Sequence, residues 1–228
     1  MEKRMLLLVV ALLVAGLWSS AAWALRPMGP PMAGLEQSQM SVGFDFSWSE
    51  MNVEIEGETF DDVESLAYLA NLGYGIADNW EAFIRLGLAG IRDIGESGVD
   101  FEGDNQFAYG FGTKVTFAES DPLTWGGLFQ MDWTKTEDSD AEIDYYQIQV
   151  AVGPTYQMEG MSLYGGPFLH FVDGEGDSPG GTFDLEQESM FGGYVGAQFD
   201  IAENASCHVE YQLTGDASGI GVGVVWKF

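Results

Sequence analysis

The chain ends in Gly219-Ile-Gly-Val-Gly-Val-Val-Trp-Lys-Phe228, a stretch in which large apolar residues alternate with glycine. Because successive side chains of a strand point to opposite faces, one face here is wholly apolar and the other is mostly glycine. A strand with one face toward lipid requires this pattern, with an aromatic residue where the membrane meets water. The stretch therefore predicts a transmembrane β-strand.

The same alternation recurs in nine other segments between residues 40 and 214. Ten such segments predict an all-β fold, a single transmembrane antiparallel up-and-down β-barrel of about ten strands. Eight or twelve strands stay open, because strand boundaries are hard to place from sequence. A soluble β-sandwich is the main alternative. A propeller is disfavoured, because each unit of about 40 residues holds two long strands instead of four short ones.

Residues 1–24 predict a secretory signal peptide. Lys3 and Arg4 precede a short apolar run, and Ala22-Trp23-Ala24 provides a small-x-small cleavage site. The apolar run is shorter than the roughly 20 residues of a spanning helix. We therefore expect residues 1–24 to be a signal peptide, residues 25–39 a Pro-rich N-terminal lead-in without a packing pattern, and residues 40–228 the barrel domain.

Short and long connections alternate along the barrel domain. Short turns are predicted near residues 78–79, 119–122, 159–160 and 203–204, and longer acidic loops at 54–64, 93–104, 137–144 and 173–188. In outer-membrane barrels the long loops face the outside of the cell and the short turns face the periplasm. Aromatic residues near strand ends predict two interfacial girdles; they are Trp48, Trp80, Trp125, Trp133, Tyr145, Tyr146, Tyr156, Trp226 and Phe228.

Two stretches carry a family resemblance, Gly73-Tyr-Gly-Ile-Ala-Asp-Asn-Trp80 and Gly196-Ala-Gln-Phe-Asp-Ile-Ala-Glu-Asn204. They resemble strand–turn–strand segments of the small outer-membrane β-barrel superfamily, the type of the outer-membrane protein A and X barrels, and the resemblance covers residues 40–228. It implies the outer membrane of a Gram-negative-type envelope, with outer-membrane lipid around the barrel. It also implies that Val224, Trp226 and Phe228 form the C-terminal signal that the barrel-assembly machinery recognises. It implies no chemistry, because the superfamily shares a barrel and not an activity.

The net charge of −28 is concentrated in the predicted loops, which hold 22 of the 36 acidic residues and no Lys or Arg. Such a charge argues against binding to nucleic acid or anionic lipid. The loops could bind divalent cations, contact surface polysaccharide through them, or bias a pore toward cations. They could also be a solvated, non-adhesive surface.

One acidic stretch, Asp173-Gly-Glu-Gly-Asp177, places oxygen ligands at alternate positions like the start of a calcium loop. Asp173, Glu175 and Asp177 are therefore weak candidates for binding Ca²⁺. The expected glycine at the sixth position is Ser178, and Pro179 follows. No other cofactor is predicted.

Charged residues also occur on the strand faces opposite the apolar ones. Because a charge facing lipid near the midplane costs about 2–4 kcal/mol, these side chains should point into the lumen. They could form an ion-pair network that plugs a narrow barrel, or a charged constriction in a small cation-preferring pore. A barrel of this size is close to one that side chains can fill, so both stay open. The predicted lumen residues are Asp45, Glu81, Arg85, Lys114, Asp132, Asp200, His208, Glu210 and Lys227.

Little in the sequence indicates catalysis. His170 is predicted on the lumenal face near Asp173, which makes an outer-membrane hydrolase a remote alternative. No Gly-x-Ser-x-Gly elbow and no His/Cys cluster occurs. We therefore expect no enzyme, but an integral outer-membrane barrel with a structural or surface-interaction role, or alternatively a small cation-preferring pore.

Overall fold

The computed structural model describes residues 25–55, 58–94, 104–138, 141–178, 181–186 and 190–228. The predicted signal peptide, residues 1–24, lies outside them. Within the described residues no helix is both long enough and apolar enough to cross a membrane. The regular structure consists of strands: β1 (Met40–Ile55), β2 (Glu58–Ala77), β3 (Trp80–Ile94), β4 (Asp104–Ser120), β5 (Leu123–Asp138), β6 (Ala141–Met158), β7 (Met161–Ser178), β8 (Gly181–Glu186), β9 (Phe191–Ala202), β10 (Ala205–Thr214) and β11 (Ala217–Lys227).

Ten of these strands form a closed antiparallel barrel, in which each pairs with its neighbour along the chain and β11 pairs with β1. The closing ladder runs from Ser41 opposite Lys227 to Met51 opposite Ala217. Beyond it, the Phe228 N–H donates to the Met40 carbonyl at 2.9 Å, and the Met40 N–H donates to the Phe228 carbonyl at 3.1 Å. The prediction of an up-and-down barrel of about ten strands is confirmed.

The eleventh strand, β8, lies outside the ten-stranded ring. It pairs with β7 and, through Glu186 and Leu185, with Glu54 and Ile55 of β1. Strands β1 to β7 have 15–20 residues, whereas β9, β10 and β11 have only 10–12. Strand β8 therefore continues the wall above the three short strands, between the projecting ends of β7 and β1.

The four predicted short turns are present at 78–79, 121–122, 159–160 and 203–204, all at one end of the barrel, which we call the turn end. The opposite end, the hairpin end, differs from the prediction. Of the predicted loops 54–64, 137–144 and 173–188, the described residues are paired strand instead of loop, and residues 56–57, 139–140, 179–180 and 187–189 lie outside the described residues. The reason is visible in Glu142-Ile143-Asp144-Tyr145, where acidic and apolar residues alternate with strand period beyond the apolar belt. Of the predicted loop 93–104, residues 95–103 lie outside the described residues.

The outward faces are apolar, as expected for strands in lipid. Trp80, Trp125 and Trp226 lie toward the turn end, whereas Tyr109 and Trp133 stack toward the hairpin end with their centroids 5.3 Å apart. One predicted girdle residue is misplaced. Tyr145 is buried inside the barrel, because it neighbours the outward-facing Tyr146 and adjacent strand residues cannot share a face.

The lumen contains a segment for which the sequence predicted no packing. Residues 25–35, here called the plug, lie inside the barrel. Leu35 is near the turn end, and Leu25 is farther toward the hairpin end. Leu25, Arg26 and Met28 are at most 3 % exposed. Leu25 and Met28 belong to a buried cluster with Phe168 and Tyr194 on the inner wall. The Pro-rich lead-in is thus part of the packed interior.

Candidate functional site

Arg85 on β3 points into the lumen, and its side chain is 1 % exposed. Its Nη1 donates to Oδ2 of Asp132 and its Nη2 to Oδ2 of Asp45, both at 3.2 Å. Nη2 also donates to the carbonyl of Pro27 at 2.8 Å, and Nε to Oδ1 of Asn71 at 3.2 Å. Because Asp45 lies on β1 and Asp132 on β5, one guanidinium ties opposite parts of the wall to each other and to the plug.

Glycines separate these charged residues along the wall. Gly110 lies between Arg85 and Asp132 in the strand register, and a Cβ on Gly110 would collide with the Asp132 carboxylate. Gly223 likewise lies between Asp45 and His208, whose Nε2 is 3.6 Å from Oδ1 of Asp45. The missing side chains let charged groups meet across a strand, which explains glycine at positions 110 and 223.

The upper plug, residues 25–29, is held by a second group of buried side chains. Oε1 and Oε2 of Glu210 accept the N–H groups of Met28 and Gly29, both at 2.9 Å. The carbonyl of Arg26 accepts from Nε2 of Gln212 at 2.7 Å and from Nε2 of Gln130 at 3.4 Å. These contacts are all with the plug main chain.

The lower plug, residues 33–35, is also held through its main chain. Oε2 of Glu81 accepts the N–H groups of Gly34 and Leu35 at 2.7 and 3.1 Å. Nζ of Lys227 donates to the Gly34 carbonyl at 2.7 Å. Thus Glu81, Glu210, Arg85 and Lys227, all predicted lumen residues, contact the plug.

Beside the lower plug lies a cavity of about 340 Å³, lined by Asp45, Glu81, Lys114 and Asp200 among others. Nζ of Lys114 lies 6.0 Å from the centroid of the Phe83 ring. Among the described residues Lys114 forms no ion pair within 4.0 Å, and Asp200 is exposed at this cavity. The structure therefore joins Asp45, Arg85, Asp132 and His208 by close contacts, whereas Lys114 and Asp200 line the same cavity without an ion pair to any described residue.

The side chain of Arg26 is poorly matched by its surroundings. It is fully buried, and Nη2 makes one long contact, 3.3 Å, with Oγ1 of Thr134. Within the described part of the chain its Nε and Nη1 have no hydrogen-bond partner. A buried guanidinium without a carboxylate is costly, because desolvation is not offset.

His170 and Asp173 lie on opposite faces of β7, so the predicted proximity of the two is wrong. His170 is fully buried and its Nε2 lies 3.1 Å from Oε1 of Gln147, whereas Asp173 is exposed. Two residues three positions apart in a strand cannot share a face. The arrangement provides no Asp–His pair.

The three calcium candidates, Asp173, Glu175 and Asp177, are exposed along one face of β7, opposite partners on β6 and β8. Alternate residues of a strand are about 6.7 Å apart, so β7 spreads the three carboxylates instead of folding them around one point. In the described ranges no group of three or more His, Cys, Asp or Glu side chains is placed to hold a metal ion.

Near this surface, beyond the apolar belt, Lys135 donates to Oε1 of Glu142 at 2.6 Å and to Oε1 of Glu137 at 3.2 Å. These hydrogen bonds raise the pKa of Lys135, and the bond from Lys135 lowers the pKa of Glu142. Burial raises the pKa of the neighbouring Asp144. The side chains of Lys135 and Glu142 are 38 % and 43 % exposed, so water screens this pair and it stabilises the fold little.

Sequence reasoning missed Asn71 and Gln212, which complete the buried hydrogen-bond network. Their positions on lumenal faces are visible in the alternation, but uncharged residues are not singled out by the cost of facing lipid. It also missed the plug. The available signal was the glycine stripe of β11, where Gly219 faces Leu25 and Gly221 faces Pro27.

Comparisons with known proteins agree with this architecture. Residues 84–228 match the model of the outer membrane protein beta-barrel domain. No curated protein matches the chain. An outer membrane channel from Pseudomonas putida F1 is similar at 12 % identity over 90 % of this chain and 100 % of that one, with a TM-score of 0.50. The attachment invasion locus protein Ail of Yersinia pestis is similar at 16 % identity over 84 % and 99 %, with a TM-score of 0.38.

A third similar structure is the outer membrane protein OprG from Pseudomonas aeruginosa, at 10 % identity over 86 % of this chain and 98 % of that one, with a TM-score of 0.42. At these identities the structural likenesses concern the fold alone. The family match extends over more than half of the chain, from β3 to the terminal residue. The chain therefore belongs to the outer membrane protein β-barrel domain family and is an integral protein of the outer membrane.

Proposed function

We propose that this protein is a closed, non-catalytic outer-membrane barrel with a structural and surface-interaction role. The observation that carries the proposal is the occupied lumen: the plug passes through it, and Arg85 joins Asp45, Asp132 and Pro27 across it. This network and the plug main chain occupy the lumen at the level of Arg85. The absence of an Asp–His pair at His170 supports a role without catalysis.

The surface role rests on the hairpin end, which we place outside the cell. Carboxylates there are exposed on β5, β6, β7 and β8, and the nearby Lys135 neutralises only part of their charge. Such a surface concentrates cations in the adjacent solution. We propose weakly bound divalent cations as its first partners, and anionic surface polysaccharide as a partner reached through them.

A closed lumen predicts that the protein does not conduct ions. Purified protein, shown to be folded, is placed in a planar bilayer under a KCl gradient with and without Ca²⁺. We expect no stable conductance steps, because the plug and the Arg85 network occupy the lumen. Stable steps from the wild-type protein would contradict a closed barrel.

The second candidate function is a small cation-preferring pore. The cavity of about 340 Å³ beside the plug favours it, because Asp45, Glu81 and Asp200 line that cavity. In this case the bilayer experiment gives steps with a cation-selective reversal potential, and replacing Arg85 or Lys114 with alanine changes the current. The closed barrel predicts no current from either variant as long as the plug stays in place.

The terminal strand supports a role in assembly. Trp226 and Phe228 are 44 % and 68 % exposed on its lipid-facing side, although their backbones close the barrel. We propose that this face is recognised by the barrel-assembly machinery. Phe228→Ala is expected to reduce the folded protein in cell outer membranes several-fold while refolding into detergent is unchanged. Val42→Ala, an apolar exchange on the partner strand, is the control. Equal loss in both assays would show that Phe228 acts only through barrel stability.

A further inference from the structure

We propose that the lumen is a binding site for an extended peptide main chain, and that residues 25–35 occupy it as an exchangeable ligand provided by the protein itself. This goes beyond a closed barrel, because it states what the lumen recognises and that the occupant can be replaced.

The first observation is how the wall binds amide groups. Glu210 accepts two consecutive N–H groups, Met28 and Gly29, and Glu81 accepts another two, Gly34 and Leu35. Hydrogen bonds to a carboxylate are stronger than those between neutral groups. Two carboxylates at different heights therefore recognise main-chain donors that many peptide sequences offer.

The second observation is that the wall also recognises carbonyl groups. Gln212 donates to the Arg26 carbonyl, Arg85 to the Pro27 carbonyl and Lys227 to the Gly34 carbonyl. The wall thus bonds both carbonyl and N–H groups near each end of the plug, at residues 26–29 and at residues 33–35. Among the contacts of plug residues 25–29 with other described residues, only the long one from Arg26 to Thr134 involves a plug side chain as a polar partner.

The third observation concerns shape. Cβ atoms on Gly219, Gly221 and Gly126 would meet Leu25, Pro27 and the Pro31–Met32 backbone. Glycines on three levels of the wall therefore leave room for a peptide whose backbone and proline ring approach the wall closely. Gly29 adopts a φ of +67°, so the recognised peptide needs glycine, or a residue that tolerates this conformation, at this position.

The fourth observation indicates that the ligand can be exchanged. Arg26 is buried without an ion pair among the described residues, and two of its nitrogens lack partners there. A plug selected only for permanent occupancy would not bury an uncompensated guanidinium at its tip. The ligand class is therefore an extended Gly- and Pro-containing peptide, entering from the turn end where residues 36–39 leave the lumen.

The first test releases the plug within the full chain. Gly29→Pro removes an N–H bonded to Glu210 and cannot adopt the positive φ. Thiol labelling of an Ala33→Cys reporter, in a Cys207→Ser background, measures plug exposure. We expect labelling to become about tenfold faster or more, since the lost bond is to a charged group. Pro30→Ala is the control, because no described residue of the wall forms a hydrogen bond with the Pro30 main chain. Unchanged labelling in Gly29→Pro would overturn the proposed main-chain recognition.

The second test supplies the ligand from outside. A fluorescent synthetic peptide of residues 25–36 is added to the folded Gly29→Pro protein, and its anisotropy is measured. We expect saturable binding, with about tenfold or more weaker binding by a peptide that itself carries Gly29→Pro, and a similar loss when Glu210→Gln is added to the barrel. Folding is checked by heat-modifiable gel migration. Absence of saturable binding to a folded barrel, or equal binding by both peptides, would overturn the proposal. Neither outcome decides the wild-type conductance, so the closed-barrel proposal is tested separately.

Discussion

Replacing Arg85 with alanine is expected to lower the free energy of unfolding by about 3–5 kcal/mol, the largest effect of any single substitution in the lumen. Asp45 and Asp132 would keep their buried carboxylates but lose the charge that compensates them. The carbonyl of Pro27 would also lose its 2.8 Å hydrogen bond. Urea unfolding in lipid vesicles, followed by tryptophan fluorescence, measures the change.

The control for this prediction is Lys135→Ala, which removes two ion pairs from the exposed hairpin end and is expected to leave unfolding unchanged. A neutral variant sharpens the test. Asp45→Asn, Arg85→Met and Asp132→Asn together should recover most of the stability lost in Arg85→Ala, because no buried charge is left uncompensated. If the triple variant is as unstable as Arg85→Ala, packing instead of charge determines how much these three side chains stabilise the barrel.

The barrel was predictable because lipid imposes a strict rule on one face of each strand. Val42, Phe44, Leu86 and Trp226 alternate with small or polar residues, and the structure places all four on the outer face. Tyr145 shows the limit of the rule. An inward aromatic beside an outward one looks the same in sequence, and only the strand register decides which of the two is buried.

The predicted lumen set shows a similar limit. The cost of facing lipid places Arg85, Asp45 and Asp132 inside the barrel, but the choice of partner depends on which strands face each other across it. Lys114 illustrates this, because acidic candidates were available and the structure pairs it with none of the described ones within 4.0 Å. Pairing depends on small residues such as Gly110 that let a long side chain cross a strand.

The plug was not predictable from alternation, because it is held through its backbone. Hydrogen bonds to N–H and C=O groups leave no periodic pattern in the side chains of residues 25–35. What the sequence does carry is the complementary feature, a stripe of glycine on the inner face of β11. Glycine in a strand interior marks a site where another backbone approaches closely, and here that backbone is the plug.

This complementarity leads to the second large expected effect. Gly221→Leu should expel the plug without altering the plug sequence, because a side chain at this position would occupy the space of the Pro27 ring. Overpacking of this kind costs about 1–3 kcal/mol, which corresponds to a shift of roughly 5- to 150-fold in the equilibrium between released and bound plug. Faster labelling of the Ala33→Cys reporter measures the release, and bilayer recording shows whether a vacated lumen conducts.

Gly193→Leu is the matched control, because Gly193 is exposed on the outer face of β9 and the nearest atom to a Cβ there is the Gly166 carbonyl oxygen at 3.8 Å. Gly126→Leu provides an independent test at the level of Pro31 and Met32. Release by both lumenal variants but not by Gly193→Leu would show that these glycines are kept free of side chains for the plug. Equal labelling in all three would instead mean that the wall adapts to the added side chains, and that the plug is held by its hydrogen bonds to Glu210 and Glu81 alone.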